Sequence, residues 1–171
     1  MSEVETNSID LLLPDFFIVA ALAAWAPLAP LIGSRFAAMR DGFEPSEFLE
    51  EGEPDANAWP FVLFGPSEDG VFEMFAQTAT LFEAPYLVRV LMREDYATAR
   101  GEDFEDATAA VQKELQHALT AFGATEVTKE NDEVRGIVHG CELLPQSHRR
   151  VYGERGRRVS EMGVHIRIFC N

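Results

Sequence analysis

Apolar and polar positions along this chain follow two periods, and the change of period marks the elements. Over residues 104–122, Phe104, Ala107, Val111, Leu115, Ala118, Leu119 and Phe122 recur at helical spacing. This predicts a half-buried amphipathic helix lying on a sheet. Asp103 is its candidate N-cap, acidic residues fill the first turn, and Gly123 marks the stop. Its polar face reads as Glu105, Thr108, Gln112, Lys113 and Gln116. Elsewhere the period is two. Residues 86–93 set Val88, Val90 and Met92 on one face, with Arg89 and Arg93 on the other. Residues 163–170 turn Val164, Ile166 and Ile168 to the core, and His165, Arg167 and Phe169 away.

Other segments carry no such alternation. Residues 61–64 are a continuous apolar run, expected as a strand covered on both faces. Residues 71–80, 125–129 and 133–144 read as further extended segments, with turns at 65–67, 69–70 and 130–132. Residues 16–25 form a helix apolar nearly all round, with Asp15 as a candidate cap after Pro14. Pro27 and Pro30 end it, and Gly33 suits a left-handed stop. The polar residues 1–8 are expected to be disordered, 41–58 to form an acidic loop, and 145–161 to form a basic loop. The fold class that follows is α+β: one domain over residues 1–171, with a mostly antiparallel, mixed sheet. An N-terminal helix and one long amphipathic helix pack on that sheet.

Charge narrows the function classes. The net charge is −15, which disfavours binding to nucleic acid or to an anionic membrane. Thirteen phenylalanines argue for a packed core. The run between Pro14 and Pro27 is too short for a bilayer span of about 20 residues. Cys141 and Cys170 do not make a disulfide framework and read as buried free thiols.

No phosphate-binding loop, nucleophile elbow or Cys-x-x-Cys pair occurs. His139 and Cys141, two apart, could share a strand face, but a metal would need further ligands from elsewhere. The expectation is therefore no catalytic residue, no cofactor and no metal. The unusual local signal is a basic cluster: Arg149, Arg150, Arg155, Arg157 and Arg158 fall within ten residues. Arginine forks suit carboxylates. One reading is a contact with an acidic partner surface, for which the acidic loop of a neighbouring copy, with Glu47, Glu50 and Glu51, is the obvious candidate; a solvated mobile loop and a direct phosphate contact are the other two.

The order of these signals resembles the tail-terminator (tail-completion) proteins of long-tailed bacteriophages. The resemblance rests on the turn Leu31-Ile32-Gly33-Ser34-Arg35-Phe36, the strand start Pro60-Phe61-Val62, the Arg-bearing strand 86–93 before the long helix, and the final strand 163–170. The long acidic insertion at 41–58 and the extra segment at 71–80 depart from that pattern. The resemblance implies a structural, non-enzymatic virion subunit. It would be made in the host cytoplasm and located at the tail–neck junction. It would form a ring, usually a hexamer, that caps the tail tube, ends its polymerisation and joins tail to head. Implied partners are the tail tube protein and the neck or connector proteins, with DNA only as cargo passing through the lumen. A head–tail connector or stopper ring, or a small cytosolic enzyme or ligand-binding domain, are the alternative readings.

Overall fold

The computed structural model describes residues 10–41, 59–67, 73–74, 82–128 and 133–171. The acidic segment with Glu47, Glu50 and Glu51, residues 1–8, and nearly all of 71–80 lie outside the described residues.

Two helical pieces open the fold. Helix α1, Leu13–Ala24, is followed by a 3-10 turn, Ala26–Leu28, and the short α2, Ala29–Ile32. Pro27 and Pro30 sit in the first turns of the last two, where a missing N–H does no harm. Gly33 ends α2 at φ 56°, a left-handed conformation costly for other residues. The chain then enters β1, Phe36–Ala38, parallel to β2, Phe61–Pro66. Arg35 fastens the two: its Nε donates to the Pro60 carbonyl and its Nη2 to the Leu31 carbonyl, both at 3.0 Å. The turn 31–36 and the strand start at Pro60 are thus one joint.

The rest of the sheet is antiparallel. Strand β2 pairs with β4, Phe82–Arg93, and the two-residue β3, Glu73–Met74, pairs at the start of β4. Helices α3, Glu94–Ala99, and α4, Phe104–Thr120, follow. Strands β5, Thr125–Thr128, β6, Val134–Tyr152, and β7, Val159–Cys170, complete the chain of elements. The order across the sheet is β1-β2-β4-β7-β6-β5. Strand β7 therefore lies inside the sheet, paired along its whole length with β4.

The two periods read from sequence explain the layers. Phe82, Ala84, Tyr86, Val88 and Val90 of β4 and Val164, Ile166 and Ile168 of β7 are buried together with Leu13, Phe17, Ile18, Ala21 and Leu22 of α1. Val111, Leu115, Ala118 and Leu119 of α4 join the same core. Asp103 caps α4 as expected, accepting from the Asp106 N–H at 3.0 Å. A smaller cluster around Trp59, Leu63, Leu91, Tyr96 and Phe104 fills one end.

Three expectations need correction. Asp15 does not cap α1; it lies in the first turn, nearly fully buried, 3.3 Å from Arg40 Nε. Burial raises its carboxyl pKa, offset in part by a hydrogen bond from Tyr86 and by Arg40. Thr108 is not on the solvated face of α4 but fully buried, its hydroxyl donating to the Phe104 carbonyl at 2.6 Å. Residues 145–161 are not a loop. Strand β6 runs to Tyr152 and β7 begins at Val159, leaving only residues 153–158 as a tight turn. Ladder hydrogen bonds to β7, rather than an apolar pattern, hold that half of β6 extended.

Candidate assembly surface

The basic cluster is split by the hairpin that carries it. Arg149 and Arg150 are exposed neighbours on β6 and point to opposite faces. Arg149 turns to the helix side, 2.8 Å from Glu105 of α4. Arg150 lies over the Tyr152 ring at 5.2 Å. Arg155 and Arg157 stand exposed in the turn, and no ion pair reaches them among the described residues.

Arg158 has an internal task. Its guanidinium donates to both carboxylate oxygens of Glu94, at 2.8 and 2.9 Å, and sits 5.1 Å from the Phe104 ring centre. The same carboxylate accepts from the backbone N–H of Gly156 at 3.0 Å and of Arg158 at 3.2 Å. Hydrogen bonds from Arg158 and from those amides hold the Glu94 carboxyl down at a pKa of about 2. Gly153 and Gly156, at φ 96° and 90°, give the turn the shape that points its amides inward. The turn thus carries two outward arginines, Arg155 and Arg157, and is latched to α3 by Arg158.

Helix α4 covers one face of the sheet, and the opposite face carries a groove of about 750 Å³. Residues directly opposed on neighbouring strands share a face. The ladders place His148 opposite Gly163 and Gly163 opposite Arg89, with Arg150 opposite Glu161 one step on. In the other direction they set Leu87 against His165 and Pro85 against Arg167. Three arginines and two histidines line the groove, and the same face holds carboxylates beside them, with Glu142 opposite Arg167 in the ladder and Glu83 3.3 Å from it.

Beneath them Glu161 is buried, at 1% exposure, where an unpaired charge would be costly. His148 Nε2 binds its carboxylate, and Arg89 Nη1 lies 3.5 Å away. Gly163 makes this approach possible. A Cβ there would stand 2.8 Å from Leu87 Cδ1 and 3.1 Å from His148 Cβ. This cluster escaped the sequence reading, although a signal existed. Extending the period-two pattern of β7 backwards from His165 puts Glu161 in phase with Arg167.

Beyond residue 138, β6 has no partner on its outer side among the described residues, since β5 pairs only with Val134 to Val138. An open edge invites pairing with another chain. Here the edge is blunted by two register shifts, between Val138 and Gly140 and between Leu143 and Ser147, and by Pro145 and charged residues. His139, at the first shift, is exposed and meets Asn171 Oδ1 at 3.1 Å, whereas Cys141 packs against the core. They do not form a ligand pair, and among the described residues no group of three or more His, Cys, Asp or Glu could hold a metal ion.

No protein-family model matches the chain, and no curated protein matches it. Among solved structures, it is similar to a chain of the "Virion of native gene transfer agent (GTA) particle". The TM-score is 0.51 at 16% identity, over 89% of this chain and 91% of that one. At that identity the likeness is one of fold, and it extends over nearly the whole of both chains.

Proposed function

We propose that this chain is a structural subunit of a phage-like particle, and specifically a ring-forming tail terminator at the tail–neck junction. The observation that carries the reading is the likeness in fold, over 89% of the chain, to a component of a gene transfer agent virion. The order of motifs in the sequence supports the finer assignment, with the turn 31–36 and the strand start at Pro60 joined through Arg35. The surface chemistry agrees with an assembly role. An overall charge of −15 suits a wall that DNA passes without sticking, and an arginine-lined groove offers a subunit contact. In this reading the protein is not an enzyme and needs no cofactor.

Two experiments test it. Purified protein viewed by negative stain, with mass measured by light scattering, should give closed rings. A monomer at all concentrations overturns the ring. Removing the gene from a producing cell separates a terminator from a neck connector. Loss of a terminator gives tails of uncontrolled length, whereas tails of normal length detached from filled heads would identify a connector instead.

A further inference from the structure

The groove on the helix-free face lacks the acidic excess of the molecule around it, because Glu83, Glu142 and the buried Glu161 are offset there by arginines. Arg150, Arg89 and Arg167 run along it, with His148 and His165 between them, in a chain of net charge −15. Arg89 is engaged with Glu161. Arg150 is exposed and rests on Tyr152, while Arg167 stays 41% exposed, at 3.3 Å from Glu83 and 4.0 Å from Glu142. Arg150 is placed to meet a carboxylate from outside, and Arg167, though shared between two carboxylates of its own face, stays exposed enough to meet another.

The other side of the molecule carries the complement. Helix α4 lies on the opposite face of the sheet, and at its start Glu102, Asp103 and Asp106 are exposed. They rim a shelf with Pro30, Leu31 and Ala110, and with one cation, Arg100, against the three carboxylates. Since the arginine-bearing groove and the acidic shelf lie on opposite sides of the sheet, one copy cannot bring its own two surfaces together. Two copies can, and the contact is then head to tail, the type that closes into rings when the rotation permits. Copies at −15 repel one another, so a stable contact is favoured where that repulsion is reversed locally.

We infer that the groove on the helix-free face, through Arg150 and Arg167, docks the acidic start of α4, Glu102 and Asp106, of a second copy of this chain. The inference rests on the ring reading above and specifies its contact.

Charge reversal tests it with folding controlled by circular dichroism. Arg150→Glu with Arg167→Glu, and separately Glu102→Lys with Asp106→Lys, should each reduce the oligomer at least tenfold at equal concentration. The chain bearing all four changes should recover it, because both surfaces are then reversed together. An equimolar mixture of the two double variants should also recover it, as alternating copies. The proposal is overturned if either double variant assembles like the unaltered chain, or if neither the fourfold variant nor the mixture recovers. If the unaltered chain is monomeric throughout, the ring reading fails as well. If it forms rings that ignore these changes, only the contact assigned here is wrong.

Discussion

Glu94 shows how one side chain can determine what a whole turn does. Its carboxylate takes two hydrogen bonds from the Arg158 guanidinium and two from turn amides, so it fixes residues 156–158 on α3. The folded-state pKa is depressed to about 2, below the ordinary 4.5. A depressed carboxyl contributes stability that is present above its ordinary value and is lost as pH falls through that range toward 2. Glu94→Gln should therefore speed amide exchange at Gly156 and Arg158 at pH 7. In the unaltered chain the same two amides should lose protection between about pH 4.5 and pH 2. Unchanged exchange in the variant would show that the turn is held by its glycines alone.

The two cysteines illustrate burial at the same scale. Desolvation pushes both thiols up to about 12. Few thiolates then exist at neutral pH, and the thiolate is the reactive form. A thiol reagent at pH 8 should label neither Cys141 nor Cys170 in the native protein, and both after unfolding in guanidinium. Rapid native labelling at either position would mean that the sheet opens there.

At the scale of elements, α4 carries the fold. Leu115 is fully buried between α4 and the sheet. Leu115→Ala should lower unfolding free energy by about 2–5 kcal/mol in a urea titration. A loss under about 0.5 kcal/mol, the scatter of surface changes, would mean the helix is not seated as described. This element was legible in the sequence because its core residues recur every three or four positions and its cap is local. Strand β7 was legible for the same kind of reason, with Val164, Ile166 and Ile168 alternating against polar neighbours. The second half of β6 was not. Gln146, His148, Arg149 and Arg150 have no buried phase to betray a strand, because this stretch is an edge, and β7 supplies its hydrogen bonds from across the chain. Asp15 misled for a related reason. A carboxylate beside Pro14 looks like a cap, and only Arg40 and Tyr86, distant in sequence, make a buried place for it. The candidate surface was half visible. The five arginines stood out as a run, but Arg158 is latched inward, and Arg89 and Arg167 join the groove only through strand pairing.

At the scale of the whole molecule, two electrostatic effects of different range oppose each other. Repulsion between copies at −15 acts over many ångströms, and it is screened first as the Debye length falls to about 8 Å at physiological salt. Contacts between paired side chains act within about 4 Å and weaken only when that length nears 3 Å at 1 M salt. Association in solution should therefore rise from about 10 mM to 150 mM salt and fall again toward 1 M. Light scattering across that range checks it. A steady rise would leave no attractive ion pairs at the contact, and a steady fall would mean that the net charge does not matter. Replacing Arg155 and Arg157 by Ser leaves the Glu94 latch intact and makes each copy more negative, so the rising limb should shift to higher salt.

The place of β7 in the sheet has a consequence for how the protein comes to exist. It lies between β4 and β6, yet it is the last of the three to be synthesised. Until residues 159–170 have left the ribosome, β4 has no partner on one side, β6 has none at all along most of its length, and the two cannot be joined. The nascent chain must therefore wait, with two long strand edges open, for the piece that unites them. Such edges pair readily with other chains, and the late, long-range closure makes folding slow. A copy that has not closed its own sheet has neither the groove, which β7 helps to line, nor the latched turn that precedes it. Any contact that uses these surfaces is thus withheld until the sheet is whole, and an unfinished copy is kept from making it by its own topology.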